Sequence, residues 1–163
     1  MLKIATTSLL MLFSSMIAIA QDGRQLLSKI ELEIQEKEPK WRFEQKSANE
    51  SDVLMLLLYS EVPAGTASYD VPNVIIIIQI GGSIKKAKGR FKEVYRRSRR
   101  VKGKMVKLTD FGEEGFYAPV GLTQIQNATL FFRADKINVQ VYAPSEEMAR
   151  RFAKLVAGQL PAI

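Results

Sequence analysis

Leu130–Leu160, LFFRADKINVQVYAPSEEMARRFAKLVAGQL, reads as strand, tight turn, strand and closing helix, and the rest of the architecture is worked out from it. Ile137, Val139 and Val141 alternate with Asn138, Gln140 and Tyr142, the period of two of a sheet with one face on a core. After Pro144 the period changes. Ser145 is a good N-cap, and Glu146 and Glu147 follow in the first turn, where the helix dipole favours negative charge. Met148, Phe152, Leu155, Val156 and Leu160 then recur at helical spacing, with Arg150, Arg151 and Lys154 off the stripe, until Pro161 ends it. A helix folded back onto a hairpin is the result.

Upstream, residues 22–38 place Leu26, Leu27, Ile30 and Ile34 at helical spacing, giving an amphipathic helix that stops before Pro39. Its solvent side is expected to be acidic, with Glu31, Glu33, Glu36 and Glu38. Trp41 and Phe43 alternate with Lys40, Arg42 and Glu44 as a short strand, followed by a polar turn over 47–52. VLMLLLY (53–59) and VIIIIQI (74–80) are apolar on both faces, which predicts central strands covered above and below. Between them, residues 60–73 hold Pro63, Gly65 and Pro72 and form a long exposed loop, so these two strands run antiparallel. Asp110–Pro119, DFGEEGFYAP, reads as a solvated turn leading into an aromatic strand. The expectation is a single α+β domain. It is an α/β/α sandwich on a mainly antiparallel sheet of five to seven strands, with an N-terminal, a basic middle and a C-terminal helix.

The first twenty residues, MLKIATTSLLMLFSSMIAIA, have an early Lys3, an apolar stretch and Ala18-Ile19-Ala20 before a polar switch, the form of a secretory signal peptide. The expected mature domain is 21–163, exported to the periplasm or secreted, with no transmembrane anchor after cleavage. The chain has no Cys and no His. Disulfides, thiol nucleophiles, Ser-His-Asp arrangements and nearly every zinc site are thereby removed. Asp110-Phe111-Gly112 matches the kinase magnesium triplet by letters only, since no His exists for a catalytic loop. No constellation points to a reaction, so a non-enzymatic protein without catalytic residues, metal or cofactor is expected.

Charge is the informative property. KKAKGRFKEVYRRSRRVKGKMVK (85–107) holds twelve Lys and Arg against one acid, Glu93, while the whole chain is only +7, so the remainder is net acidic. Ser83 can cap a helix here, and Ile84, Ala87, Phe91, Val94 and Tyr95 form an apolar edge to dock it. From Val101 the pattern turns to alternation, an edge strand guarded by lysines. Ordinary surface helices mix signs, because like charges four apart cost a few tenths of a kcal/mol per pair. The candidate anion-binding residues are therefore Lys85, Lys86, Lys88, Arg90, Lys92, Arg96, Arg97, Arg99, Arg100, Lys102 and Lys104. An anionic envelope component or an acidic protein surface is the expected partner. An exported chain has little occasion to meet nucleic acid. The acidic side of the first helix is a further candidate counter-charge, within one molecule or between copies. The alternative function is a carrier of a small apolar ligand, held between sheet and helix near Trp41, Phe91 and Phe116.

The order of elements (export signal, helix, Trp-bearing strand, apolar strands, a helix from Ser83, FGEEGFY, a hairpin, and a helix after APSEE) resembles the small exported bacterial domains of PsbP-like fold. That resemblance implies an α/β/α sandwich and mostly accessory roles, and it carries no site residues. The turn Ala134-Asp135-Lys136 stands where such proteins commonly have Gly-Asn, and their lipid-bearing Cys is missing.

Overall fold

The computed structural model describes residues 23–48, 53–60, 73–100, 104–121 and 126–160. The expected signal peptide, residues 49–52 of the expected polar turn, most of the expected 60–73 loop, Lys102 and Pro161 lie outside the described residues. Helix α1 covers 23–37. Then come β1 (Trp41–Ala48), β2 (Val53–Ser60), β3 (Asn73–Ile80), α2 (Ile84–Arg100), β4 (Val106–Leu108), β5 (Glu114–Ala118), β6 (Ala128–Ala134), β7 (Ile137–Ala143) and α3 (Glu146–Gln159). The fold class is as the sequence predicts: an α+β sandwich on seven strands, every pair antiparallel.

Strand order is β1-β2-β3-β7-β6-β5-β4. The chain therefore lays down β1 to β3, leaves the sheet, restarts at the far edge with β4, and returns strand by strand until β7 pairs with β3. Helix α2 is the connection that makes this jump. It must cross one face of the sheet from the middle to the far edge, and it lies over β7 and β6 with its aromatic side chains reaching β5. The middle strand is β7, so the two apolar runs sit on one side of the sheet and not at its centre.

The face opposite α2, here the front, holds the main core. Leu54, Leu56 and Leu58 of β2, Val74, Ile76 and Ile78 of β3, and Val139 and Val141 of β7 point to it. They meet Leu26, Ile30 and Ile34 of α1 and Ala149, Phe152, Ala153 and Val156 of α3. α3 begins as the sequence predicts, with the Ser145 side chain accepting from the Met148 N–H at 3.2 Å. The back face is different. Met55, Leu57, Ile75 and Ile77 are only half-buried, so among the described residues the expected cover on two sides is complete for the front alone. A run of apolar letters states what a strand tolerates, not what lies over it.

Tight contacts hold the β6–β7 end. Asp135 and Lys136 form a two-residue turn, with Asp135 at φ 50. Gly112 is at φ 54, and a side chain there would collide with the Arg133 carbonyl, so the DFGEEG turn lies directly against the hairpin. Both edges of the sheet are blunted. β1 is irregular between Phe43 and Gln45, and β4 is three residues long.

Candidate polyanion-binding surface

α2 begins where Ser83 accepts a hydrogen bond from the Lys86 N–H at 3.2 Å, and Gly81 ties its approach to the Lys136 carbonyl at 2.7 Å. Little of it is buried. Ala87 and Phe91 are the buried residues of its seventeen. Phe91 stacks on Phe131 of β6 at 4.9 Å and meets Phe116 of β5 edge-on at 5.7 Å, while Tyr95 lies edge-on to Phe116 at 5.3 Å. Asn138 of β7 donates to the Ala87 carbonyl at 3.2 Å. Ile84 and Tyr95, counted from sequence with the docking edge, are 48% and 39% exposed and border it instead.

The helix runs to Arg100, up to the change of pattern at Val101, so Arg96, Arg97, Arg99 and Arg100 belong to it; of the expected edge strand, Val106–Leu108 is strand, and 101–103 lie outside the described residues. One element thus carries nine of the eleven candidate cations: Lys85, Lys86, Lys88, Arg90, Lys92, Arg96, Arg97, Arg99 and Arg100. All nine are exposed. With about 3.6 residues per turn they occupy more than half of the circumference, interrupted by Glu93 and Gly89. Lys104, also exposed, follows just before β4. Arg97 pairs with Glu93, and the Lys88 charge acts on Glu113. Among the described residues, Lys85, Lys86, Arg90, Lys92, Arg96, Arg99 and Arg100 have no ion pair.

The acidic side of α1 cannot answer this charge within one molecule, because α1 packs on the front of the sheet and α2 on the back. Nor is that side simply solvated: Glu38 pairs with Arg151 of α3 at 2.9 Å, and Glu33 accepts from Gln159 at 3.1 Å. Among the described residues, no helix is long and apolar enough to cross a membrane, and no three acidic side chains are grouped to hold a metal ion.

One charged cluster escapes the sequence reading. Arg133, fully buried on the back of β6, pairs with Glu113, lies 3.6 Å from Glu114 through its Nε, and donates to the Asp135 carbonyl at 2.6 Å. Glu113 in turn accepts from the Asp135 N–H at 3.0 Å. The two carboxylates expected in a solvated turn are the counter-charges of a buried guanidinium. The available signal was an Arg inside the apolar strand LFFRA, two places from Phe131 and so on the same face.

The three aromatic residues grouped for an apolar ligand do not meet. Trp41 packs edge-on to Phe152 on the front face at 5.0 Å, whereas Phe91 and Phe116 fill a separate cluster on the back, with the sheet between. Beside Trp41 there is an open groove of about 370 Å³ lined by Gln35, Pro39, Trp41, Arg42 and Phe43. Compared with known proteins, the chain matches no family, no curated protein and no solved structure.

Proposed function

We propose that this protein is an exported, non-enzymatic accessory or binding domain that contacts an anionic envelope component or an acidic partner through α2. The observation that carries the reading is the concentration of exposed, mostly unpaired cations on one thinly anchored helix. A surface element selected only for solubility would intersperse acids, since like charges on neighbouring turns oppose the helix that carries them. The resemblance to exported PsbP-like domains, whose roles are mostly accessory, points the same way. Binding of this kind is driven by release of counterions from the polyanion and weakens steeply with salt.

Retention on heparin and on vesicles containing anionic lipid tests it. Wild-type protein is expected to be retained at low salt and released as salt rises, and the combined variant Arg96→Glu, Arg97→Glu, Arg99→Glu, Arg100→Glu is expected to flow through. Equal retention of that variant would sink the proposal.

A further inference from the structure

The two faces of the sheet are unequally clothed. Among the described residues, two helices lie side by side on the front and one, α2, on the back. Seven strands at about 4.8 Å make a sheet roughly 29 Å wide, and a helix with its side chains is about 10 Å across. Among the described residues, α2 therefore leaves a lane of similar width uncovered over β2 and β3. Its floor is apolar: Leu57 lies opposite Ile75 and Met55 opposite Ile77, all half-buried, with Val53 beside Gln79 at one end. Among the described residues, no helix lies over this strip.

The wall of the lane is one flank of α2. Tyr95 against Phe116 and Lys88 near Glu113 identify the flank that looks toward β5. Arg90 and Arg97, seven residues apart, run down the other flank, toward β3, while Val94 between them packs against the Phe91, Phe116 and Phe131 cluster. Arg90 has no ion pair among the described residues, and Arg97 has Glu93 alone. The step thus joins an apolar floor to a cationic wall.

Its shape selects among occupants. A flat bilayer resting on the outer arc of α2 stays about one helix diameter, roughly 10 Å, above the floor. A small ligand needs walls on several sides, and this step has one. A helix has the right width, an apolar stripe for the floor and a flank for the wall. We infer that the lane over β2 and β3 is the docking site for an amphipathic helix of a partner protein, its acidic edge against Arg90 and Arg97. The inference rests on the cationic reading of α2 for that edge, and on the strip for the rest.

The test uses two synthetic peptides of about 18 residues, five helical turns, with Leu at i, i+3, i+4 and i+7 and either Glu or Lys along the flank. Binding to the whole protein is read by fluorescence anisotropy. The Glu-flanked peptide is expected to bind at least roughly tenfold tighter than its twin. Ile77→Asp should weaken it by a similar factor without changing heparin retention, and the milder Ile77→Thr should move it in the same direction if the first variant fails to fold. Arg90→Glu with Arg97→Glu should abolish the preference for the Glu-flanked peptide. No binding, equal binding of both peptides, or indifference to Ile77 would overturn the inference, as would a dimer of the free protein that Ile77→Thr dissolves. Loss of heparin binding in the Arg96–Arg100 variant, alongside any of these, would leave the proposed function standing and the lane refuted.

Discussion

Arg133 shows how much a single buried charge can organise. Its guanidinium is out of water, and every partner that answers it comes from the DFGEEG turn or the hairpin tip. The hydrogen bond from Arg133 holds the Glu113 carboxyl below the ordinary carboxylate range; burial opposes this, and the Asp135 N–H, the Arg133 charge and Lys88 assist it. A carboxyl with a folded pKa below its unfolded one stabilises the fold fully above the unfolded value, and loses that contribution as pH falls through the folded one. Glu113→Ala is therefore expected to cost about 1–3 kcal/mol at neutral pH, the scale of a charged hydrogen bond, because Glu113 is partly solvated. The difference from wild type should begin to shrink as pH falls below the ordinary carboxylate range and disappear as it passes through the lowered Glu113 value, where wild-type Glu113 is itself protonated. Arg133→Met should cost less, since both carboxylates can rehydrate and a buried ion pair replaced by apolar bulk is often near neutral. Urea midpoints across pH decide it; a larger loss in Arg133→Met than in Glu113→Ala would contradict this account. The sequence contained Arg133 and both acids in plain view, but their partnership depends on β5 pairing with β6, which letters twenty places apart do not state.

At the scale of elements, legibility followed local consistency. In β7 and α3 the alternation, the Ser145 cap, the acidic first turn and the apolar stripe agree, and the structure follows them. In α2 they disagree. No acid stands in its first turn, Gly89 sits in its interior, and Lys88, Lys92, Arg96 and Arg100 stack at four-residue spacing. Packing of Ala87 and Phe91 and the favourable pole for Arg97, Arg99 and Arg100 in the last turn offset this repulsion. Arg96→Glu turns three repulsive pairs, with Lys92, Arg99 and Arg100, attractive and one attractive pair, with Glu93, repulsive, at about 0.2–0.5 kcal/mol each, so it should raise stability by up to about 1 kcal/mol at low salt. The gain should fade at high salt, where charges are screened. The same substitution should advance elution from heparin. A variant that is more stable and binds less well would mark the arginines as retained for contact; an Arg96→Glu protein that is less stable at low salt would remove that argument. What could not be read from these segments was cover. VIIIIQI has the same letters whether its second face is buried or open, and only the route of α2 from β3 to β4 decides which.

For the molecule as a whole, the jump from β3 to the far edge has an electrostatic consequence. It carries the basic segment onto the back of the sheet, while on the front Glu38, just after α1, pairs with Arg151 of α3, and Glu33 of α1 accepts from Gln159. The net charge of +7 is therefore a poor description; placement matters more than sum. Two variants of identical net charge separate the two quantities. Arg96→Glu, Arg97→Glu, Arg99→Glu and Arg100→Glu reverse four cations on the back. Arg24→Glu, Lys29→Glu, Lys40→Glu and Lys154→Glu reverse four exposed ones on α1, the turn after it and α3. If a polyanion binds a defined surface, the second variant keeps most of its retention on heparin and anionic vesicles, and the salt dependence of elution stays steep because the phosphate or sulfate contacts are intact. If binding is a response to overall charge, both variants elute together. Screening sharpens the distinction, since at about 0.15 M salt the field of a charge decays over about 8 Å, less than the thickness of a helix lying on a sheet. The α1 and α3 cations are then nearly invisible to a ligand seated on α2, and co-elution of the two variants at that ionic strength would refute a localised surface.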